Sequence, residues 1–148
     1  MNLFGMLEVS GSALGAERQR AEVVASNMAN AQTTRTAAGG PYRRQLVVFQ
    51  AQRVPRFSFA LGGALAGLQR EHSSAVRVAA VVSDQRPPVM RFEPGHPDAN
   101  PQGYVAYPQV DPIEEMTDLL DAVRAYELNA SAVQATKNMI AQSLDLLR

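Results

Sequence analysis

Apolar side chains recur at 3-4 spacing through the C-terminal part of the chain. Met116, Leu119, Val123, Tyr126, Ala130, Val133, Lys137, Ile140, Leu144 and Leu147 fall on one stripe, and only Lys137 among them is not apolar. That is the period of a coiled-coil seam, and it predicts a helix running from just after Asp111 almost to the last residue. Asp111 suits the N-cap and Pro112 the first helical position, while Glu114, Glu115 and Asp118 favour the positive end of the helix dipole. A second row of Leu128, Ala132, Ala135, Met139 and Leu146 gives the helix another apolar side. Burying one seam does not offset the entropy of ordering so long a helix, so it requires partner helices.

The N-terminal part repeats the theme more weakly. Leu3, Leu7, Leu14, Ala21, Val24, Met28 and Ala31 lie on a 3-4 grid, interrupted by Ser10 and Glu17. Gly5, Gly11 and Gly15 each weaken a helix by about 1 kcal/mol relative to alanine, so residues 1–10 are expected to fray in a free monomer. The helix is expected to stop near Gln32, where Thr33-Thr34 and Gly39-Gly40-Pro41 break the period. Between the two helices, Tyr42–Gln50, Ala75–Ser83, Val89–Phe92 and Tyr104–Ala106 are rich in β-branched and aromatic residues and read as strands. Phe57–Gln69 has no clear period and reads as a flexible loop. The expected fold class is therefore α+β, with long N- and C-terminal helices packing as a coiled coil and a small β-rich insert between them. Its regions are 1–34, 35–110 and 111–148.

Composition changes this picture little. The 148 residues balance to zero net charge, but unevenly: 1–110 carry eleven basic and seven acidic groups (+4), and 111–148 carry three and seven (−4). Such a molecule suits head-to-tail stacking, and it suits an ordinary solvated surface as well. No basic run is interleaved with aromatics, which argues against nucleic-acid binding. The chain has no cysteine, so neither disulfides nor thiolate-held metal enter. No lysine or arginine precedes Arg18 and Glu8 interrupts the apolar start, so a cleaved signal peptide is not expected. The longest uncharged run, Phe57–Gln69, holds three glycines in 13 residues and is too short to span a bilayer.

Catalytic chemistry finds no support. His96-Pro97-Asp98 reads as a rigid turn, and no helix carries a histidine and carboxylate at metal-binding spacing. Glu114 and Glu115 are adjacent on a helix and point about 100° apart, which defeats an acid/base pair. There is no nucleophile elbow or phosphate loop. No enzyme, cofactor, metal or small-molecule substrate is expected. Other polar residues are open to two readings. Asn27 and Asn30 either terminate a helix or bridge to backbone groups of a neighbouring helix. Arg18 and Arg20 are either solvated or pair with acidic groups such as Glu127 or Asp121.

Three stretches resemble a known family. SGSALGAERQRAEVVASNMANAQTT, from Ser10 to Thr34, is similar to the N-terminal signature of the bacterial flagellar rod, hook and hook-associated proteins. GGPYRRQLVVF, Gly39 to Phe49, resembles the way rod proteins lead into their β region. PGHPDANPQGYVAYPQVDPIEEMTDLLDAVRAYELN, Pro94 to Asn129, looks like the C-terminal signature of the proximal-rod members. The resemblance covers most of residues 9–147, leaving about 51–74 unmatched. Gln109 stands where the family usually has Asn, and Asn100 where Asp is common.

The resemblance implies a structural subunit of the flagellar basal-body proximal rod, exported through the flagellar type III apparatus without a cleaved signal. It would polymerise through its terminal helices into a torque-transmitting drive shaft with an axial export channel. Partners would be proximal and distal rod proteins, the hook–basal-body adaptor protein and further copies of itself. The expected assembly interface is Leu14, Val24, Asn27, Met28, Asn30, Met116, Leu119, Val123, Tyr126, Val133, Ile140, Leu144 and Leu147. A soluble coiled-coil adaptor or regulatory binding module is the alternative.

Overall fold

The computed structural model describes residues 3–53 and 74–146. The expected loop between the first two strands, and Leu147 of the seam, lie outside the described residues. Helix α1 spans Leu3–Ala29 and helix α2 spans Pro112–Asp145, with strands β1 (Gln45–Arg53), β2 (Ser74–Ser83), β3 (Val89–Phe92) and β4 (Tyr104–Tyr107) between them. The α+β class is therefore as expected. Within the stretch expected to fray, residues 3–10 are helical, and α1 ends at Ala29, three residues before Gln32. At that end Asn30 Nδ2 donates to the Ser26 carbonyl at 2.9 Å and Asn30 Oδ1 accepts from the Thr33 hydroxyl at 3.1 Å. Asn30 thus closes the helix locally. Helix α2 starts as its residues require: Asp111 Oδ1 accepts from the Ile113 amide at 2.9 Å, with Pro112 in the first turn.

The strands form two separate antiparallel pairs, β1 with β2 and β3 with β4. The first lies against α1, where Ser12 Oγ accepts from the Val76 amide at 2.9 Å. Val48 pairs with Ala80 and Phe49 with Val78, so Ala79 is an extra residue in β2. That bulge restores the alternation that turns Val76 and Val78 to the same side as Val81. The loop that joins the two strands of the second hairpin ties it to the segment just after the turn that follows α1. Asp98 accepts from the Thr34 hydroxyl at 2.7 Å and is ion-paired with Arg35, while His96 Nδ1 accepts from the Asp98 amide at 3.1 Å. His96-Pro97-Asp98 is a structural turn.

The departure at Asn100 is accommodated in the same loop. Its Oδ1 accepts from the amides of Gln102 and Tyr104 at 3.0 and 2.8 Å, which an aspartate oxygen would do equally. Gly103 then adopts φ +82°, and a Cβ built on it would lie 2.8 Å from Phe92 Cε2. Gly103→Ala is expected to destabilise the chain by about 1–2 kcal/mol. Urea denaturation of the purified chain checks this, and an unchanged midpoint contradicts it.

The helices are antiparallel neighbours, but not chiefly through the heptad seam. The least exposed positions of α2 are Glu115, Asp118, Leu119, Ala122, Ala125, Asn129, Ala132, Val133, Thr136 and Ile140. Each lies at or one residue before a seam position, so the stripe toward α1 is rotated by up to about 100° from the seam. Apart from Leu119, Val133 and Ile140 it is small or polar, where the seam is large and apolar. Small side chains let helix axes approach, and two of the polar ones, Asn129 and Thr136, are satisfied inside the helix. Asn129 Nδ2 donates to the Ala125 carbonyl and the Thr136 hydroxyl to that of Ala132, both at 2.8 Å. Of the seam, Leu119, Val133 and Ile140 are half-buried, while Met116, Val123, Tyr126 and Leu144 are left exposed.

Candidate assembly site

Two features of this framework bear on function: a buried polar node at one end of the helix pair, and the outward apolar stripe of α2. The node gathers three distant parts of the chain. Asn27, on the last turns of α1, is 1% exposed and Glu115, in the first turn of α2, is 0% exposed. Arg44 reaches Glu115 from the residue preceding β1. Its Nε donates to Glu115 Oε1, and its terminal nitrogens lie 3.3 Å from Glu114 Oε1 and 3.3 Å from Asp118 Oδ2. Asn27 uses every hydrogen-bonding position it has. Its Nδ2 donates to the Gln45 carbonyl at 2.9 Å and to Glu115 Oε2 at 3.0 Å. Its Oδ1 accepts from the Gln45 amide and the Tyr42 hydroxyl, each at 2.9 Å. Asn27 thus takes the place of a neighbouring strand for the first residue of β1.

Burial works against the charge of Arg44, but the hydrogen bond with Glu115 and the charges of Glu115, Glu114 and Asp118 outweigh it. The guanidinium is held above its ordinary value and stays charged. Arg20 extends the network from α1, with a terminal nitrogen 3.3 Å from Asp118 Oδ1 and another 3.7 Å from Glu17 Oε2. The expected partners of the two α1 arginines are thus corrected. Arg20 meets Asp118 rather than Asp121 or Glu127, because Asp118 lies on the stripe facing α1. Arg18 pairs with Glu22 one turn along its own helix at 3.0 Å.

The residues expected at an assembly interface divide. Val24 and Asn27 are buried within the chain, and Leu14, Met28, Asn30, Leu119, Val133 and Ile140 are half-buried. Asn27 meets a strand and a carboxylate of its own chain instead of a neighbouring helix. Met116 (56% exposed), Val123, Tyr126 and Leu144 (62% exposed) face outward. Leu120, Ile113 and Leu128 are exposed beside them. Sequence reasoning missed Arg44 and Glu115. Their signal was the alanine stripe one residue out of step with the seam, which begins with Glu115.

Among the described residues no cluster of histidine, cysteine and carboxylate side chains is arranged to hold a metal ion, and no helix is long and apolar enough to cross a membrane. The node is a structural tie: Asn27 has all its hydrogen bonds made and Arg44 is paired with carboxylates, while Glu17 Oε2 at its edge is buried without a hydrogen bond.

Comparison with known proteins places this architecture. Residues 7–35 match the family model described as flagella basal body rod protein, and residues 102–146 match that described as flagellar basal body rod FlgEFG protein C-terminal. These spans contain most of α1 and of α2. The chain is 39% identical to the flagellar basal-body rod protein FlgC of Bacillus subtilis, over 99% of each chain. It is 37% identical to FlgC of Borreliella burgdorferi, over 100% of this chain and 99% of the relative, and 38% identical to FlgC of Escherichia coli O6:H1, over 99% and 98%. Identity at this level along the whole length, with both helices matched, shows that the chain belongs to the FlgC family of flagellar basal-body rod proteins, as a structural subunit of the proximal rod.

Proposed function

We propose that subunits polymerise through the outward stripe of α2, together with α1, so that terminal helices of many copies pack side by side around an axial channel. The observation that carries this reading is the exposure of Met116, Val123, Tyr126 and Leu144 on a chain whose own helix pairing uses a different face of α2. A heptad stripe over this length meets the need of a helical neighbour, and α1 of the same chain does not supply one. Buried seams between subunits resist shear, as a drive shaft transmitting torque requires. The β hairpins lie outside the helices and stiffen the wall. Neighbours are further copies, the other proximal and distal rod proteins and the hook–basal-body adaptor protein. The subunit reaches its periplasmic site through the flagellar type III apparatus without cleavage of a signal.

Leu144→Asp and Val123→Asp test the stripe. Both side chains are exposed in the single chain, so neither change removes an intramolecular core contact. Each is expected to abolish incorporation into purified hook–basal bodies, read by mass spectrometry, while export is unchanged. Normal rods built from either variant would sink the reading.

A further inference from the structure

The two strands of the first hairpin have one face toward α1 and one away from it. Cross-strand pairing puts Leu46 opposite Val82, Val48 opposite Ala80 and Gln50 opposite Arg77 on one side, where all six are exposed, while Val47, Val76 and Val78 on the other side are half-buried beside the exposed Phe49 and Val81. Val48 and Val82 are 44% and 43% exposed, and Leu46 is exposed with them. This aliphatic patch is bounded by two cations. Arg77 donates to Gln50 Oε1 at 2.8 Å and Arg43 to Gln85 Oε1 at 3.2 Å, so each is bonded to a neutral amide, and among the described residues neither is in an ion pair.

The first turns of α2 present the converse surface. Met116, Leu120 and Val123 are exposed on one side, and Glu127 continues the same side one turn later. Among the described residues no cation lies within ion-pair distance of Glu127. The helix as a whole, from Pro112 to Asp145, carries six acidic and two basic residues. The two surfaces also stand at one level of the molecule, because Arg44, next to β1, meets Glu115, next to Met116. A neighbour set beside the subunit with little axial shift therefore brings its hairpin to Met116–Val123.

We propose that the outward face of the first hairpin, Leu46, Val48, Ala80 and Val82, docks on Met116, Leu120 and Val123 of a second copy of this chain, with Arg77 meeting Glu127. This rests on assembly through α2 and names what covers its first turns; the remainder of the stripe is left for helices. The contact is heterologous, joining two different surfaces, and so propagates instead of closing into a dimer. Apolar area supplies the attraction, while the opposed charges fix which copy and which register.

The test places a photo-reactive benzoylphenylalanine at Val48 of the full-length chain, illuminates isolated basal bodies and sequences the crosslinked peptides. The expected product has twice the chain mass and joins position 48 to a peptide containing Met116–Val123. Crosslinks elsewhere on the chain, or to a different rod protein, in rods that contain the variant overturn the hairpin contact while leaving assembly through α2 intact. A charge exchange decides the matter where that variant fails to enter rods. Arg77→Glu is expected to lower incorporation about tenfold or more, and Arg77→Glu with Glu127→Arg to restore it. Full incorporation of Arg77→Glu alone, or no recovery in the double variant, overturns the proposal.

Discussion

Glu115→Ala destabilises the folded chain by about 3–5 kcal/mol, because it leaves the buried Arg44 guanidinium without its closest partner. The carboxylate is 0% exposed, takes the Nε of Arg44 on one oxygen and the amide of Asn27 on the other, and joins α2 to both other parts of the chain. Its removal therefore leaves the Arg44 Nε and an Asn27 amide hydrogen without acceptors in one step, although Glu114 and Asp118 stay 3.3 Å from the guanidinium. Glu114→Ala is the control. Glu114 lies 3.3 Å from the same guanidinium, but its side chain is 58% exposed, so its loss moves stability by less than about 1 kcal/mol. Replacing both charges, with Arg44→Met and Glu115→Leu, recovers most of the loss, since an apolar pair avoids desolvation. Denaturant unfolding of the four chains measures the order. Equal effects of Glu114→Ala and Glu115→Ala would show that burial does not set the strength of these pairs.

Asn27→Asp is expected to cost about 2–4 kcal/mol at neutral pH, although it changes one atom type. Every bond of the native amide is specified: Nδ2 donates to a carbonyl and a carboxylate, and Oδ1 accepts from an amide and a hydroxyl. An aspartate cannot donate to either acceptor, and it sets a second anion about 3 Å from Glu115 Oε2. Burial and the like charge raise the new carboxyl above its unfolded value. The folded state then binds a proton that the unfolded chain does not hold, so lowering the pH from about 7 to 5 relieves the penalty. The parent lacks that proton site, so the stability gap between the two chains narrows as pH falls. A gap independent of pH would mean that the introduced carboxyl escapes to solvent.

The two predictions share a cause that the linear pattern conceals. The 3-4 stripe of α2 is legible because helix periodicity is local, and the strands and the cap at Asp111 are legible for the same reason. Which face of α2 meets α1 is not local. The large apolar seam announced a helix that needs partner helices, but not which stripe meets α1, where Ala122, Ala125 and Ala132 permit closer helix approach than Met116, Val123 and Tyr126 would. Likewise Tyr42–Arg44 read as the start of a strand. The side chains of Tyr42 and Arg44 instead complete a cluster with residues 15 to 74 positions away, a separation at which no periodicity carries information. Asn27 attracted notice as an amide near a helix end, but its partners lie on β1 and α2.

The residue order by itself determined the two long helices, the four strands, the turn at His96-Pro97-Asp98 and the family to which the chain is similar. Those follow from spacing, capping and turn chemistry, which act over a few residues. Only the tertiary structure decided that the helices meet along a stripe of mostly small or polar residues, that Arg44 and Glu115 are the buried tie, and that Met116, Val123, Tyr126 and Leu144 of the apolar seam face outward. Those outcomes depend on which surfaces fit when distant segments pack, because burial belongs to the assembled shape and not to any one segment.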